Sequence, residues 1–400
     1  MVPFELFILI ERNKSRKSSL ICTEMSGLYI HIPFCRKACH YCNFHFSTSL
    51  GQREAMLTAI LKEIERRNDF LEDKTLESIY FGGGTPSVFS AFELASILDL
   101  IGKYFHISAD SEITIEANPD DLNKSYVKAL SETSINRLSI GVQSFHEKDL
   151  IYMNRSHDAE QAIQSIKNSQ DLGFSNLSVD LIYGTPGLSE SDWISNLNII
   201  RNLDIPHLSC YSLTVEDKTA LAHMVKTGES PAPKSDEAAR HLKLLMAFAK
   251  EESYEHYEIS NFAKAGKEAV HNSNYWKGIP YLGIGPAAHS FNGKVRQWNP
   301  SNNAKYIKAM TAGLMAFENE TLTPDDKYNE YILTGLRTKW GCEVQKIAIM
   351  GEIYKRYFLI EIESKIRESM VMENEGIFTL TEEGKFFADQ ISADLFYSGS

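Results

Sequence analysis

The chain has 400 residues, 43% of them hydrophobic and 24% charged, an ordinary globular composition long enough for two or three folded units or for one barrel with an appendage. Its formal net charge of −12 opposes a broad phosphate-neutralising surface, so nucleic acid is not expected as the main partner. No apolar run approaches the ~18 residues that a spanning helix requires, which excludes a transmembrane segment.

In chain order, Val2 to Ile10 is apolar but interrupted by Glu5, and basic residues with no small-residue cleavage site follow it. That pattern predicts no signal peptide, and the chain is expected to be cytoplasmic. Met25 stands directly before the first convincing strand, so residues 1–24 are expected to be an extension or a misassigned start.

Leu28 to Ile32 is a β-branched and aromatic run ended by Pro33, and it delivers Cys35, Cys39 and Cys42 in a loop at spacing C-x3-C-x2-C. Residues 52–67 then place Met56, Ile60, Leu61 and Ile64 on one helical face. The alternation repeats. Strands are expected at Ser78 to Phe81, Ile113 to Glu116, Arg137 to Val142, Leu177 to Ile182 and Leu208 to Leu213, with a helix carrying Leu94 to Ile101 and others near 122–132, 158–172, 190–202 and 236–251. Six strand–helix units call for a parallel sheet with right-handed crossovers. They are too few for a closed eight-fold barrel, so an α/β partial (β/α)6 barrel over 25–252 is the preferred architecture and a doubly wound sheet the alternative. In either case the site lies at the C-terminal strand ends, where the cysteine loop, Gly82-Gly83-Gly84-Thr85-Pro86, Glu116, Gln143 and Asp180 fall. An aromatic and glycine-rich connecting region is expected over 253–320, and a small, mostly helical, winged-helix-like domain over 321–400.

Half of the six cysteines fall within eight residues, which favours metal or redox use over a disulfide framework. Three close thiolates suit a four-iron four-sulfur cluster with one iron open to a small molecule. Two alternatives are a zinc site completed by His40, His45 or a remote ligand, and purely structural thiols. The glycine run is not a phosphate-binding Walker loop, because no Gly-Lys-Ser/Thr follows; its N–H groups suit a carboxylate or a ribose. Cys210 and Cys342 read as small core residues, and His40 and His45 as solvated loop residues.

Together, the cysteine loop after Tyr29-Ile30-His31-Ile32-Pro33-Phe34, the Gly-Gly-Gly-Thr-Pro run, Glu116-Ala117-Asn118-Pro119, Gly141-Val142-Gln143-Ser144-Phe145, Asn154-Arg155 and Asp180-Leu181-Ile182-Tyr183-Gly184 resemble the radical S-adenosylmethionine superfamily, and within it the oxygen-independent coproporphyrinogen oxidase group. The resemblance implies a four-iron four-sulfur cluster on Cys35, Cys39 and Cys42 whose open iron takes S-adenosylmethionine. It also implies that Tyr29, Phe44, Gly83, Gly84, Thr85, Glu116, Gln143, Arg155 and Asp180 line that cofactor's site, and that a donor such as flavodoxin or ferredoxin supplies the electron. The coproporphyrinogen dehydrogenases carry a further cysteine two residues after the third, where this chain has Phe44. The chain is therefore more similar to HemW-type heme chaperones, which pass heme to acceptor hemoproteins such as respiratory-chain components. His271-Asn272-x-x-Tyr275-Trp276 matches their H-N-x-x-Y-W motif, which implies a heme-binding role for His271; its ordinary alternative is a buried histidine in an aromatic corner.

Overall fold

A computed structural model describes residues 25–399; the readings made for residues 1–24 lie outside the described residues. The first part alternates strand and helix: β1 (Ser26–Ile32), α1 (Arg53–Arg66), β2 (Thr75–Gly83), α2 (Ala91–Tyr104), β3 (His106–Ala117), α3 (Lys124–Ser131), β4 (Arg137–Gln143), α4 (Glu147–Tyr152), α5 (Ala159–Asp171), β5 (Leu177–Tyr183), α6 (Glu190–Asn202), β6 (His207–Ser212), α7 (Ala220–Thr227) and α8 (Ser235–Glu251). β1 to β6 pair in sequence order, all parallel. The six-strand open barrel read from the pattern is present, and β3 begins seven residues earlier than its apolar run indicates.

The strands bury their two faces differently. Residues 79, 81, 113, 115, 138, 140, 177, 179, 181 and 208 are apolar, buried and packed under the helices. The alternate positions Ser78, Tyr80, Glu112, Thr114, Glu116, Arg137, Ser139, Ser178, Asp180, His207 and Ser209 face the inside of the curve and touch across strands: Ser178 Oγ lies 2.7 Å from His207 Nδ1, and Tyr80 donates to Glu116 at 2.8 Å. Parallel strands covered on both sides are usually apolar throughout. This one keeps a polar lumen, with side chains paired across its strands.

The region after α8 contributes β7 (Glu255–Glu258), β8 (Asn261–Ala263), α9 (Val270–Trp276), β9 (Tyr281–Ile284), β10 (His289–Phe291), β11 (Val295–Trp298), α10 (Asn303–Ala312) and β12 (Glu318–Thr321). It adds strands at both edges, giving a twelve-stranded order β12-β11-β10-β9-β1-β2-β3-β4-β5-β6-β8-β7. These short strands carry no period-2 run long enough to read from the sequence. The β9–β10 edge is tied to α1 by a buried network in which Arg67 meets Glu63, the Gly283 carbonyl and Ser290, while Glu63 also accepts from Asn299 and Tyr306.

Helix α9 closes the end of the barrel opposite the C-terminal strand ends. Its first N–H groups, at Val270 and His271, donate to Glu112 at 3.0 and 3.1 Å, and Glu112 in turn lies 3.6 Å from buried Arg137. The remaining chain, α11 (Pro324–Leu336), β13 (Cys342–Glu343), α12 (Val344–Met350), α13 (Glu352–Arg367), β14 (Val371–Asn374), β15 (Ile377–Leu380) and α14 (Ala388–Asp394), forms a winged-helix arrangement with its own sheet, β13-β15-β14, and its own core around Tyr328, Phe358 and Leu395. Cys210 and Cys342 are buried in the first and second cores. Among the described residues no helix is long and apolar enough to cross a membrane.

Candidate functional site

A cavity of about 490 Å³ opens at the C-terminal ends of β2 to β6 and is lined by Cys35, Cys39, Cys42, Phe44, Gly83, Gly84, Thr85, Glu116, Gln143, Arg155 and Asp180, among others. The structure therefore brings together eleven of the thirteen residues singled out from the sequence.

The cysteine loop is held from all sides. Its entry is fixed by Cys35 N–H to the Ser47 carbonyl (3.1 Å), and its middle by His40 N–H to the Met153 carbonyl (3.1 Å) and Leu221 N–H to the His40 carbonyl (2.8 Å). His40 Nδ1 lies 2.9 Å from the Tyr152 carbonyl and His45 Nε2 lies 2.7 Å from Asn303 Oδ1. Both histidines, expected in solvent, instead pin the loop, because it is clamped between α4 and α10. Asn154, at φ 57°, donates to the Ala38 carbonyl at 2.7 Å. The next residue, Arg155, turns its guanidinium inward to Cys39 Sγ (3.2 Å), Asn118 Oδ1 (2.8 Å) and the Gly141 carbonyl (2.6 Å).

The glycine run lies beside this loop because nothing larger fits. A Cβ on Gly84 would stand 2.7 Å from the Phe34 carbonyl oxygen and 2.8 Å from the Phe34 nitrogen, and Gly83 has φ +108° against the His31 ring. Gly84 and Thr85 donate to the Ile32 and Phe34 carbonyls at 2.9 and 2.7 Å, and the Thr85 hydroxyl donates to Cys35 Sγ at 3.4 Å. At the end of β4 the register shifts between Gly141 and Gln143, and Gln143 takes φ 70°, an irregularity that re-aims a side chain next to a site.

Two carboxylates face the thiols. Glu116 accepts from Tyr80 Oη at 2.8 Å and from Gly83 N–H at 3.2 Å; burial pushes its pKa up to about 7 against these bonds. Asp180 is raised to about 6, again by burial, opposed by Ser209 and Ser139. Facing the cavity, both are poised to receive a cationic or hydroxyl-bearing ligand that favours their ionised form.

The three cysteines form no disulfide and share the cavity. Among the described residues, however, no three His, Cys, Asp or Glu side chains converge on a position for a single metal ion. With the Arg155 guanidinium and the Thr85 hydroxyl aimed at two of the sulfurs, the donor set fits a thiolate-held cluster.

Two predicted residues lie elsewhere. Tyr29 is beneath Gly82, with its hydroxyl 3.2 Å from His31 Nδ1, and does not line the cavity. His271 sits in the opposite end of the barrel on α9: Nδ1 is 2.8 Å from Ser78 Oγ, Nε2 is 2.8 Å from Tyr275 Oη, and the ring stacks on Tyr80. Burial lowers its pKa to about 3. The cavity also includes Lys37, Tyr41, Asn118, Ser139, Tyr211 and Glu216, which the sequence reading did not select. Ser139 and Tyr211 lie on the polar face of their strands, so period-2 alternation carried that signal; Asn118 stood in a quoted motif without a role.

The model of the Radical SAM superfamily matches residues 29–200. The chain is 32% identical over 371 residues to the protein named heme chaperone HemW of Bacillus subtilis, covering 92% of this chain and 98% of that one. Its identity to the corresponding protein of Mycobacterium tuberculosis H37Rv is 31% over 372 residues, 91% of this chain and 93% of that one. With radical S-adenosyl methionine domain-containing protein 1, mitochondrial, of Bos taurus it shares 33% over 332 residues, 83% and 72%. Among solved structures, the coproporphyrinogen III oxidase HemN from Escherichia coli superposes with a TM-score of 0.81 at 23% identity, covering 94% of this chain and 91% of that one, a likeness of fold. The chain belongs to the radical SAM superfamily, in the group whose bacterial members are named heme chaperone HemW.

Proposed function

We propose that this chain is a cytoplasmic heme chaperone of the radical SAM type, which binds a four-iron four-sulfur cluster, S-adenosylmethionine and heme and passes heme to acceptor hemoproteins such as respiratory-chain components. The observation that carries the reading is the cavity in which three clamped thiols face Glu116, Gln143, Arg155 and Asp180, in a chain similar along its length to proteins named heme chaperones. Cys35, Cys39 and Cys42 would hold the cluster. Gly83, Gly84 and Thr85 would border the amino-acid part of the cofactor, Glu116 would accept from its ammonium, and Phe44 would cover it. When bound, the cluster supplies one-electron reduction of the sulfonium, with flavodoxin or ferredoxin as the electron donor. The chain's own residues hold the loop and keep two carboxyls ready to ionise.

His271 is the proposed heme ligand, under a structural condition. Its Nε2 is engaged by Tyr275, so iron reaches it only if that hydroxyl is displaced and α9 leaves the barrel end. The test is anaerobic reconstitution, iron and sulfide analysis, and heme titration followed by absorption. Wild type is expected to take up heme, and both His271→Ala and His271→Gln to lose it. If His271→Gln retains heme, the residue is structural; if wild type takes up none at micromolar concentrations, the chaperone reading is overturned.

A second reading, an oxygen-independent coproporphyrinogen III dehydrogenase, has the HemN-like fold in its favour and Phe44 against it, since that position carries a cysteine in the dehydrogenases. Formation of protoporphyrinogen from coproporphyrinogen in the presence of reductant and S-adenosylmethionine would reverse the ranking.

A further inference from the structure

Arg137, on β4, is 1% exposed and is the one permanent cation among the lumen-facing strand positions. Its Nε has no hydrogen-bond partner, and its contact with Glu112, at 3.6 Å, is longer than a hydrogen bond. Thr114, its register partner on β3, has an unpartnered Oγ1, and Asn261, in register with Ser209 of β6, has an unpartnered Oδ1. Buried polar groups are normally satisfied, and a buried guanidinium short of hydrogen bonds is the most costly kind of exception.

Glu112 does not fill that vacancy, because it turns both carboxylate oxygens to the first N–H groups of α9. It also links the arginine to the histidine of that helix. Its Oε1 accepts from His271 N–H at 3.1 Å, and its Oε2 is the atom nearest Arg137 Nε. Arg137 therefore stands one side chain away from His271. A guanidinium is a planar fork suited to a carboxylate, and a heme carries two carboxylates on its rim, a ring radius from the iron. The five N–H donors of the fork serve two carboxylates on separate edges, so Glu112 and a heme propionate can share it.

We propose that Arg137 is the carboxylate receptor of the heme site, holding one propionate when the iron is on His271. The proposal rests on the heme reading of His271 and on its condition that α9 leaves the barrel end. The test titrates the full chain with hemin and with hemin dimethyl ester, whose two carboxylates are capped, both in the same neutral detergent micelles and followed by absorption. Wild type should bind hemin about tenfold or more tighter than the ester. The net charge of −12 works against a dicarboxylate, so such a preference has to come from a local cation. Arg137→Gln should bind the two compounds alike, its affinity for hemin falling to that for the ester. Arg137→Lys, which keeps the charge and loses the fork, should retain part of the preference. Circular dichroism checks folding, and the wild-type comparison needs no variant. A merely structural arginine would leave the ratio of the two affinities unmoved. Equal affinity of wild type for both porphyrins overturns the proposal and leaves the chaperone reading standing, with Glu112 keeping the guanidinium. A preference that survives in Arg137→Gln also overturns it, because the receptor is then elsewhere. If wild type takes up neither compound, the heme reading fails and the proposal fails with it.

Discussion

Glu116 concentrates the physical cost of the site in one side chain. Its carboxyl is raised to about 7 because burial penalises the anion more than Tyr80 and Gly83 N–H favour it. A carboxyl with a raised pKa binds more protons in the folded than in the unfolded state. Its contribution to stability is therefore fully present below the unfolded value and is lost as pH rises through the folded one. Glu116→Gln removes that loss: urea denaturation of the cofactor-free protein should show equal stability near pH 4.5 and a more stable variant at pH 8, by up to about 3 kcal/mol. The same variant should bind S-adenosylmethionine more weakly, the usual trade between stability and function at a pre-organised site. His271 predicts the opposite sign. His271→Ala strands Ser78 Oγ and Tyr275 Oη in a buried layer and should destabilise the protein by about 2 to 4 kcal/mol, with or without heme.

At the scale of elements, the site depends on how closely the glycine run approaches the cysteine loop. Gly84→Ala places a methyl group against the Phe34 backbone, where no side chain can yield. The variant should fold with a displaced loop and reconstitute with less iron per chain than wild type, as measured by iron analysis. Arg67 provides the comparison on the far side of α1. Arg67→Met leaves Glu63 as an uncompensated buried charge and should cost about 3 to 5 kcal/mol in chemical denaturation while leaving cluster content per folded chain unchanged. The parallel units were legible in the sequence because each pairs a β-branched run with an amphipathic helix. The strands β7 to β12 were not, since three- and four-residue segments owe their extended form to the edge they join.

Over the whole molecule, local pattern set the chemistry and tertiary structure set its access. The sequence by itself determined the thiol loop, the alternation that builds an open parallel barrel and the polar strand ends, because spacing and period are properties of contiguous residues. It also placed Phe44 where a fourth cysteine would otherwise stand. Only the folded structure decided that Arg155 and Thr85 reach Cys39 and Cys35, that Tyr29 lies below the cavity, and that His271 is sealed in the opposite end of the barrel. Those facts depend on residues brought together from distant parts of the chain: Arg155 meets a cysteine 116 positions away and His271 a serine 193 positions away. No local period encodes such a distance; the sheet order and the shear between its strands do.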